Sequence, residues 1–216
     1  MMTFAFQIRS ALLARGLRCP RRMAATALFL ALTLTGLAAC APVGVAVGAG
    51  AAVGIGAYQE RGLEGAARDL RLEAAIIDAW MQSDHTLVTQ VSAEVYDSRA
   101  LLTGSVANED ARGLAVRLAW KSGGLAEVIN EIQVNPDSGA IDFARDSWIT
   151  TQLKTRITFD KNINAINYAI ETVNGTIYLI GIAQNKGELD RVIAYANDIS
   201  YVKGVVSHVR VKGAVK

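Results

Sequence analysis

The stretch from residue 166 to residue 183 reads INYAIETVNGTIYLIGIA and carries the clearest structural pattern in the chain. Two β-type runs flank Asn174-Gly175, the dipeptide that two-residue hairpin turns prefer. The stretch therefore predicts a pair of antiparallel strands, with Gly181 late in the second strand. A glycine inside a strand indicates a bulge or a close approach of another backbone segment.

The same pattern occurs 77 residues earlier in the chain. Residues 69–134 and 146–211 align without a gap, and their apolar positions match more closely than their identities do. The correspondences include Asp69 with Asp146, Gly104 with Gly181, Asn108 with Asn185, and the weaker turn signal Asp97-Ser98 with Asn174-Gly175. A shared apolar pattern over 66 positions indicates two copies of one small fold.

Each copy predicts the order helix, strand, strand, helix, strand. The first helix has an aspartate as its N-cap candidate, Asp69 or Asp146, followed by apolar residues at i, i+4 and i+8. A closing strand ends each copy, EVINEIQV at 127–134 and GVVSHVRV at 204–211. We therefore predict an α+β fold in which two helices pack on one face of a three-stranded mixed sheet.

The N-terminal part of the chain has a different composition. The first 22 residues contain five arginines and no acidic residue, and an apolar run extends from Met23 to Cys40. This order is typical of a secretion signal, and Leu37-Ala38-Ala39-Cys40 resembles a bacterial lipobox. The resemblance implies a signal peptide over 1–39 and diacylation of the Cys40 thiol, with palmitate among the acyl chains. A transmembrane anchor that contains a cysteine is the alternative.

A segment rich in glycine, alanine and valine follows the lipobox. Its small-residue spacing suits helix packing in a membrane, but glycine is a poor helix former, so a flexible tether is the preferred interpretation. We predict the lipidated cysteine and the tether over 40–66, domain 1 over 67–135, a linker over 136–145 and domain 2 over 146–213.

No catalytic or metal-binding motif occurs in the sequence. Cys19 belongs to the predicted signal peptide and Cys40 is the lipidation candidate, so the mature chain has no other thiol. The two histidines, His85 and His208, lie in different copies. On the closing strand His208 shares a face with Arg210, and we expect this face to be exposed to solvent. The sequence predicts no enzyme, no metal and no cofactor.

The two copies resemble the BON domain of bacterial periplasmic and outer-membrane proteins. The resemblance rests on Gly104 and Gly181, on the apolar runs before them and on the two closing strands. With the lipobox, the tether and DSWITTQLK at 146–154, the chain is similar to dual-BON outer-membrane lipoproteins of the DolP/YraP type. That resemblance implies a lipid anchor in the outer membrane, facing the periplasm. It also implies binding of anionic phospholipid through the second domain and support of envelope integrity.

Charge distinguishes the two copies. Residues 69–134 contain five basic and ten acidic side chains, a net charge of −5, whereas residues 146–216 contain nine basic and six acidic ones, a net charge of +3. A positive surface beside a bilayer attracts anionic lipids such as phosphatidylglycerol and cardiolipin. We do not expect nucleic acid as a partner, because a lipid-anchored exported protein does not meet it routinely.

Trp148 is the residue that raises the question of function. It takes the place of Arg71 in the first copy and lies outside the predicted core stripe that begins at Ile149. Phe159 falls on the same flank of the helix at about 100° per residue. Tryptophan favours the headgroup region of a bilayer, and interfacial helices combine it with basic residues. The resemblance places the lipid-binding surface on this helix and the following loop. The predicted lipid-binding residues are Trp148, Thr151, Gln152, Lys154, Thr155, Arg156, Thr158, Phe159 and Lys161.

Three alternatives remain open at this stage. In the first alternative, Trp148 packs against the first domain instead of lipid, because the short predicted linker brings the two domains close together. The protein is a periplasmic protein-interaction or chaperone-like adaptor for other envelope proteins. In a third interpretation, it is a structural subunit whose glycine-rich segment assembles in the membrane.

Overall fold

The computed structural model describes residues 59–135 and 140–213. Both copies belong to one compact unit, Ala49–Lys216. The predicted signal peptide, Cys40 and most of the predicted tether lie outside the described residues.

Domain 1 contains three helices and four strands. The helices are α1 (Gly62–Ser83), α2 (His85–Gln90) and α3 (Glu109–Lys121), and the strands are β1 (Val91–Tyr96), β2 (Arg99–Val106), β3 (Glu127–Asn130) and β4 (Gln133–Val134). Strand β2 is central, with β1 antiparallel to it and both β3 and β4 parallel to it. The predicted closing strand is thus divided in two, and Ile132 between the two pieces is buried in the core.

Domain 2 repeats this arrangement with an unbroken closing strand. Its elements are α4 (Ala140–Phe159), a 3-10 helix (Ala165–Asn167), β5 (Tyr168–Val173), β6 (Thr176–Ala183), α5 (Lys186–Asn197) and β7 (Gly204–Val211). Strand β6 pairs antiparallel with β5 and parallel with β7. The predicted α+β class with mixed sheets is therefore confirmed. The short helix before the first strand was not predicted in either domain.

The first helices bury the predicted apolar stripe against their own sheets. In domain 2, Ile149, Leu153 and Ile157 are fully buried. In domain 1, Ile76 and Trp80 occupy the equivalent region, and the Trp80 indole N–H donates to the Ala115 carbonyl at 3.0 Å. The second helices begin at asparagine N-caps, Asn108 and Asn185.

Asp69 and Asp146 are not helix N-caps, so this prediction was wrong. Helices α1 and α4 begin at Gly62 and Ala140, and both aspartates lie inside them. Each carboxylate instead accepts two backbone N–H groups from the hairpin turn of its own domain. The donors are Asp97 (2.7 Å) and Ser98 (2.9 Å) for Asp69, and Asn174 (2.6 Å) and Gly175 (2.8 Å) for Asp146. The helices therefore start within the segments that the sequence assigned to the tether, 40–66, and to the linker, 136–145.

The two hairpin turns have the same backbone conformation. Asn174 and Gly175 have φ values of 51° and 82°, and Asp97 and Ser98 have values of 54° and 59°. Positive φ at both central residues is the mark of a type I′ turn. The hairpin predicted at Asn174-Gly175 is confirmed, and the weaker signal in the first copy also forms one.

Gly104 and Gly181 lie where another backbone segment crosses the strand. Their φ values are 124° and 151°. A Cβ atom on Gly181 would lie 2.0 Å from the Asn167 carbonyl oxygen, and one on Gly104 would lie 2.1 Å from that of Gln90. Only glycine permits this approach of the chain that enters the first strand.

The two sheets pack against each other on the faces that their helices leave free. Tyr96, Leu101 and Ile129 of domain 1 form one buried cluster with Tyr178 and Ile180 of domain 2. The layers therefore run helices, sheet, sheet, helices. The contacts of α4 with its own core place it in an outer layer, on the side of domain 2 away from domain 1.

The contacts between the domains follow a pseudo-twofold axis. Residues 77 positions apart face each other, as Glu131 and His208 do at 2.8 Å. Other contacts occur as equivalent pairs related by the same offset. The Asn174 amide donates to Gln133 at 2.8 Å, and the equivalent residues, Asp97 and Arg210, form an ion pair at 3.6 Å. This arrangement is that of an isologous dimer joined in one chain.

His208 is not solvent-facing, which corrects the prediction. Its side chain is 24% exposed and pairs with Glu131 of domain 1. Arg210 lies on the same face, as predicted, and contacts Asp97 and Glu127. Alternation along a single strand shows which residues share a face, but it does not show that a second sheet covers that face.

Three carboxyl groups meet where the first strands of the two sheets face each other. Glu94 on β1 lies beside Glu171 on β5, and these residues are also 77 positions apart. Burial, followed by the neighbouring carboxylate charges, raises the pKa of Glu94. Burial also raises the pKa of Glu171, against the opposing effect of Lys154. Glu73 on α1 lies beside the pair, and burial raises its pKa to about 7.

Residues Gln59–Arg61, which we name the strap, join domain 1 to domain 2. The Gln59 amide donates to the Ile166 carbonyl at 2.9 Å, and the Glu60 N–H donates to the Asn167 side chain at 3.0 Å. The Glu60 carboxylate also contacts Gln184 at 2.7 Å and Lys212 at 2.9 Å. Arg61 pairs with Asp69 at 2.8 Å and lies over the Tyr96 ring.

Candidate functional site

Helix α4 exposes three large aromatic side chains, Phe143, Trp148 and Phe159, and the last two lie on one flank of the helix. Trp148 is 44% exposed and Phe159 is 81% exposed. They are 11 residues apart, which is about 20° of rotation around a helix. We name this surface the outer flank; its residues are Trp148, Thr151, Gln152, Thr155, Thr158 and Phe159.

The indole of Trp148 packs against its own domain. It meets the Tyr201 ring edge-to-face, with centroids 6.1 Å apart and an interplanar angle of 70°. The Arg145 guanidinium lies over the same Tyr201 ring, 5.6 Å from the ring centroid. The contact of Trp148 with Tyr201 within domain 2 stands against the alternative in which Trp148 packs against domain 1.

Tyr201 has a strained backbone conformation. Its φ is 69°, and the equivalent residue of domain 1 is Gly124, with a φ of 78°. A left-handed conformation costs a non-glycine residue about 1 kcal/mol or more. Tyr201 is also 67% exposed, so burial in a core does not explain its presence. Such strain at an exposed position indicates a functional role.

The threonines of the outer flank have their hydroxyl groups satisfied within the helix. Thr151, Thr155 and Thr158 each donate to the carbonyl four residues earlier, at 2.7 to 2.8 Å. This is the usual bond of a threonine inside a helix. Because these hydroxyls already have a partner, removing them from water costs less free energy than removing unpaired ones.

The predicted basic residues have different surroundings. Arg156 forms an ion pair with Asp198 at 2.6 Å. Lys154 is half-buried beside Glu171 and Glu94. Lys161, in the loop after α4, is exposed. The structure therefore brings Lys161 to the end of the outer flank, whereas Lys154 lies against the carboxyl pair between the domains.

An open crevice of about 720 Å³ adjoins the C-terminal end of α4. It is lined by Arg156, Phe159, Asp160, Lys161, Asn162, Arg191 and Tyr195. The Asn162 backbone N–H and the Tyr195 hydroxyl both donate to Asp160 and hold the pKa of its carboxyl below the usual range. Arg191 on α5 adds a cation that sequence reasoning did not select.

Comparison with known proteins identifies the family. The BON domain profile matches residues 68–136 and 145–213, which together cover more than half of the chain. The chain belongs to the BON-domain family. The two matched segments coincide with the two copies described above, so the dual-BON architecture predicted from the sequence is confirmed. The first and second BON domains are domain 1 and domain 2.

Three curated proteins illustrate the similarity of this BON protein to known chains. An uncharacterized protein in the gshII 5′ region of Anaplasma centrale is 40% identical over 129 residues, 59% of this chain and 85% of the relative. The outer membrane lipoprotein DolP of Haemophilus influenzae is 33% identical over 117 residues, 54% of this chain and 60% of the relative. The 21 kDa hemolysin of Actinobacillus pleuropneumoniae is 27% identical over a segment of the same length and the same coverage.

Two further properties concern the part of the chain that the structure describes. Within residues 59–135 and 140–213, no helix combines the length and apolarity needed to cross a membrane. In the same two ranges, no group of three or more histidine, cysteine or acidic side chains is arranged to hold a metal ion.

Sequence reasoning missed Tyr201, Arg145 and Arg191 of the second BON domain. A signal for Tyr201 was present, because an aromatic residue stands where the first BON domain has a glycine. Arg145 lies on α4 three residues before Trp148, but it precedes the aligned segment from which the helix was predicted. Arg191 lies on the other helix and shares no helical period with Trp148. What the arrangement offers is an amphipathic, partly cationic surface without a cluster of catalytic groups.

Proposed function

We propose that the second BON domain binds anionic phospholipid at a bilayer surface through the outer flank of α4. In this proposal the protein is a non-catalytic outer-membrane lipoprotein, anchored through Cys40 and facing the periplasm, that supports envelope integrity. The observation that carries the proposal is the exposure of Trp148 and Phe159 on one flank of a helix that faces away from domain 1.

Insertion of the outer flank into a headgroup region would remove apolar surface from water. An aromatic side chain contributes on the order of 2 kcal/mol when it passes from full exposure to full burial. Trp148 and Tyr201 each combine an apolar ring with a polar group that remains wet, as interfacial aromatic residues do. The internally bonded threonines between the aromatic residues oppose this transfer only weakly.

Basic side chains at both ends of the outer flank favour an anionic surface. Arg145 lies at the Trp148–Tyr201 end, and Lys161 and Arg191 lie at the Phe159 end. Each well-placed cation adds on the order of 1 kcal/mol toward phosphatidylglycerol or cardiolipin. This contribution should weaken with added salt, because exposed charges are screened. The name of the DolP relative supports the proposed location in the outer membrane.

Sedimentation with vesicles tests the proposal. The chain from Gln59 to Lys216 keeps every contact described above and is mixed with vesicles of phosphatidylglycerol or of neutral phosphatidylcholine. We expect sedimentation with the anionic vesicles, and we expect Trp148→Ala to weaken it at least about tenfold, or about 1.4 kcal/mol. Trp120→Ala is the matched control, because Trp120 is an equally exposed tryptophan on α3 of domain 1, 49% exposed. Equal, weak sedimentation in every mixture would contradict the proposal.

Tyr201→Gly separates function from stability. Glycine relieves the left-handed strain at this position but adds freedom to the unfolded chain. We therefore expect a free energy of unfolding that is unchanged or raised by up to about 1 kcal/mol. Binding to anionic vesicles should weaken about threefold, since the partner of Trp148 is lost. Thermal unfolding and vesicle sedimentation are the two measurements. A destabilised variant with unchanged binding would show that Tyr201 serves the fold instead.

An adaptor function is the second candidate, and one observation favours it. Domain 1 exposes Leu70 and Trp120, at 54% and 49%, although its net charge does not suit an anionic bilayer. Isolated apolar residues are common on protein surfaces, so this observation is weaker than the paired aromatic residues of the outer flank. The vesicle experiment distinguishes the two candidates, because an adaptor would not prefer anionic vesicles.

A further inference from the structure

We propose that an anionic bilayer in contact with the outer flank also contacts the adjoining end of domain 2, formed by Phe159, Lys161 and Ile166, while domain 1 is held away from the lipid. We name this surface the strap end. The inference rests on the proposed function and adds to it the orientation of the molecule and a contact residue, Ile166, outside α4.

The first argument is the position at which the chain from the anchor joins the folded part. Gln59 is hydrogen-bonded to the Ile166 carbonyl, and Glu60 is bonded to Asn167. Glu60 also contacts Gln184 and Lys212. These contacts attach the beginning of the described chain to domain 2, although the residues that follow it build domain 1. The strap therefore places the exit toward Cys40 beside the 3-10 helix of domain 2.

The second argument is distance along the chain. Eighteen residues, 41–58, separate Cys40 from Gln59. At most about 3.6 Å per residue, this segment spans no more than about 65 Å even when fully extended. As the flexible tether that the sequence predicts, a segment of this length averages only about 25 Å between its ends. An acylated Cys40 would thus keep Gln59 near the membrane, and Ile166 with it.

The third argument is the chemistry of the strap end. Phe159 is 81% exposed and Ile166 is 41% exposed. The helix that ends at Phe159 contacts the 3-10 helix that contains Ile166, which places these two apolar residues at one end of the domain. Lys161 is exposed between them in the chain, and Arg191 lines the adjoining crevice. Exposed apolar residues beside cations are the combination by which interfacial segments bind anionic membranes.

The fourth argument is that domain 1 lacks this chemistry at the same place. The offset of 77 residues relates Phe159 to Gln82, Lys161 to Asp84 and Ile166 to Thr89. Two apolar side chains and one cation are thus replaced by two neutral polar side chains and one anion. Asp84 is moreover engaged locally, since it accepts the Thr86 N–H at 2.9 Å as the N-cap of α2. The repeated fold does not require Phe159 or Ile166, which indicates that they serve an external contact.

A site-specific label on the full-length lipidated protein tests the orientation. Besides the acylated Cys40, the mature sequence has no cysteine, so an introduced cysteine is the single reactive thiol. Ile166→Cys, Thr89→Cys and Leu70→Cys are each labelled with the same environment-sensitive fluorophore. The proteins are reconstituted into vesicles of phosphatidylglycerol and phosphatidylcholine in equal parts that contain a nitroxide-labelled lipid. Thr89 is the matched control, because it is the repeat equivalent of Ile166, and Leu70 reports on the helix layer of domain 1.

We expect the nitroxide to quench the label at Ile166 at least twofold more strongly than the labels at Thr89 and Leu70. Gln59→Ala combined with Glu60→Ala removes the side-chain bonds of the strap and should reduce this difference. Equal quenching at the three positions, or stronger quenching at Leu70, would overturn the inference.

Failure of the inference can be distinguished from failure of the proposed function. If the unanchored chain prefers anionic vesicles and Trp148→Ala abolishes this preference, the proposed function holds whatever the labels report. Stronger quenching at Leu70 than at Ile166 would then reject only the orientation. If the unanchored chain shows no preference for anionic vesicles, the proposed function fails, and the orientation fails with it because it depends on lipid contact.

Discussion

Gly181→Ala should destabilise the second BON domain by about 4 kcal/mol, the loss expected when a small substitution forces a backbone to move. The φ of 151° at Gly181 lies in a region that is essentially restricted to glycine. The added Cβ would also lie 2.0 Å from the Asn167 carbonyl oxygen, and this oxygen belongs to the backbone rather than to a flexible side chain. The chain between the 3-10 helix and β5 would have to shift, and the strap that contacts Asn167 would shift with it.

Urea unfolding followed by circular dichroism measures this effect. Gly113→Ala is the control, because Gly113 lies inside α3 and its added Cβ would meet only the end of the Arg117 side chain, at 3.1 Å. Replacing a glycine inside a helix by alanine should stabilise the domain by up to about 1 kcal/mol. If both variants unfolded at the same urea concentration as the parent protein, the close approach at Gly181 would not constrain the fold.

Glu171→Gln should stabilise the protein at pH 8, by about 1.4 kcal/mol for each pH unit by which burial raises the pKa of Glu171, and should have little effect at pH 5. The neutral amide resembles a protonated carboxyl group, so the variant and the parent protein are alike when Glu171 and Glu94 hold their protons. At high pH the folded parent protein must either keep a carboxyl group protonated or hold two carboxylates beside each other. Both alternatives disfavour the folded state relative to the unfolded one.

The sign of this pH dependence follows from the direction of the pKa shifts. Glu94, Glu171 and Glu73 all have a raised pKa in the folded protein. The stability that they contribute is therefore fully present below about pH 4.5 and is lost as the pH rises through 7 and beyond. Lys154 moderates the loss, because its charge favours the ionised carboxyl groups.

Chemical unfolding at a series of pH values checks this prediction. Glu64→Gln is the control, since Glu64 is an exposed glutamate in the first turn of α1. The free energy of unfolding of the parent protein should fall between pH 5 and pH 8 relative to that of Glu171→Gln, whereas Glu64→Gln should follow the parent protein. A constant difference between Glu171→Gln and the parent protein at all pH values would show that folding does not raise the pKa of Glu171.

The fold was predictable because its strongest signals are local and occur twice. A type I′ turn needs positive φ at both central residues, and Asn174-Gly175 is among the few dipeptides that tolerate it. The aspartates before the apolar stripes were misinterpreted because an N-cap and a carboxylate that binds a distant turn have the same local pattern. Only the position of the hairpin, 28 residues later in the chain, distinguishes them.

The candidate site was predictable only along the helix that carries it. Helical geometry places Trp148 and Phe159 on one flank, and the structure exposes both. Tyr201 and Ile166 belong to other elements and reach this part of the surface through the packing of domain 2. Lys154 shows the opposite error. Its helical position points outward from the core, but it lies beside Glu171 of its own domain and Glu94 of domain 1.

Some residues face their own repeat equivalent across the pseudo-twofold axis, and they show what joining the two copies in one chain allows. In a symmetric homodimer, two residues that face each other across the axis are the same residue, so a charged one meets its own charge. Glu94 and Glu171 still have this relation. Glu131 and His208 do not, because the linked copies vary independently. Linkage also makes the pairing independent of protein concentration, since each copy meets the other at a high effective concentration. One half of the molecule can therefore specialise in contact with lipid while the other half keeps the pairing intact.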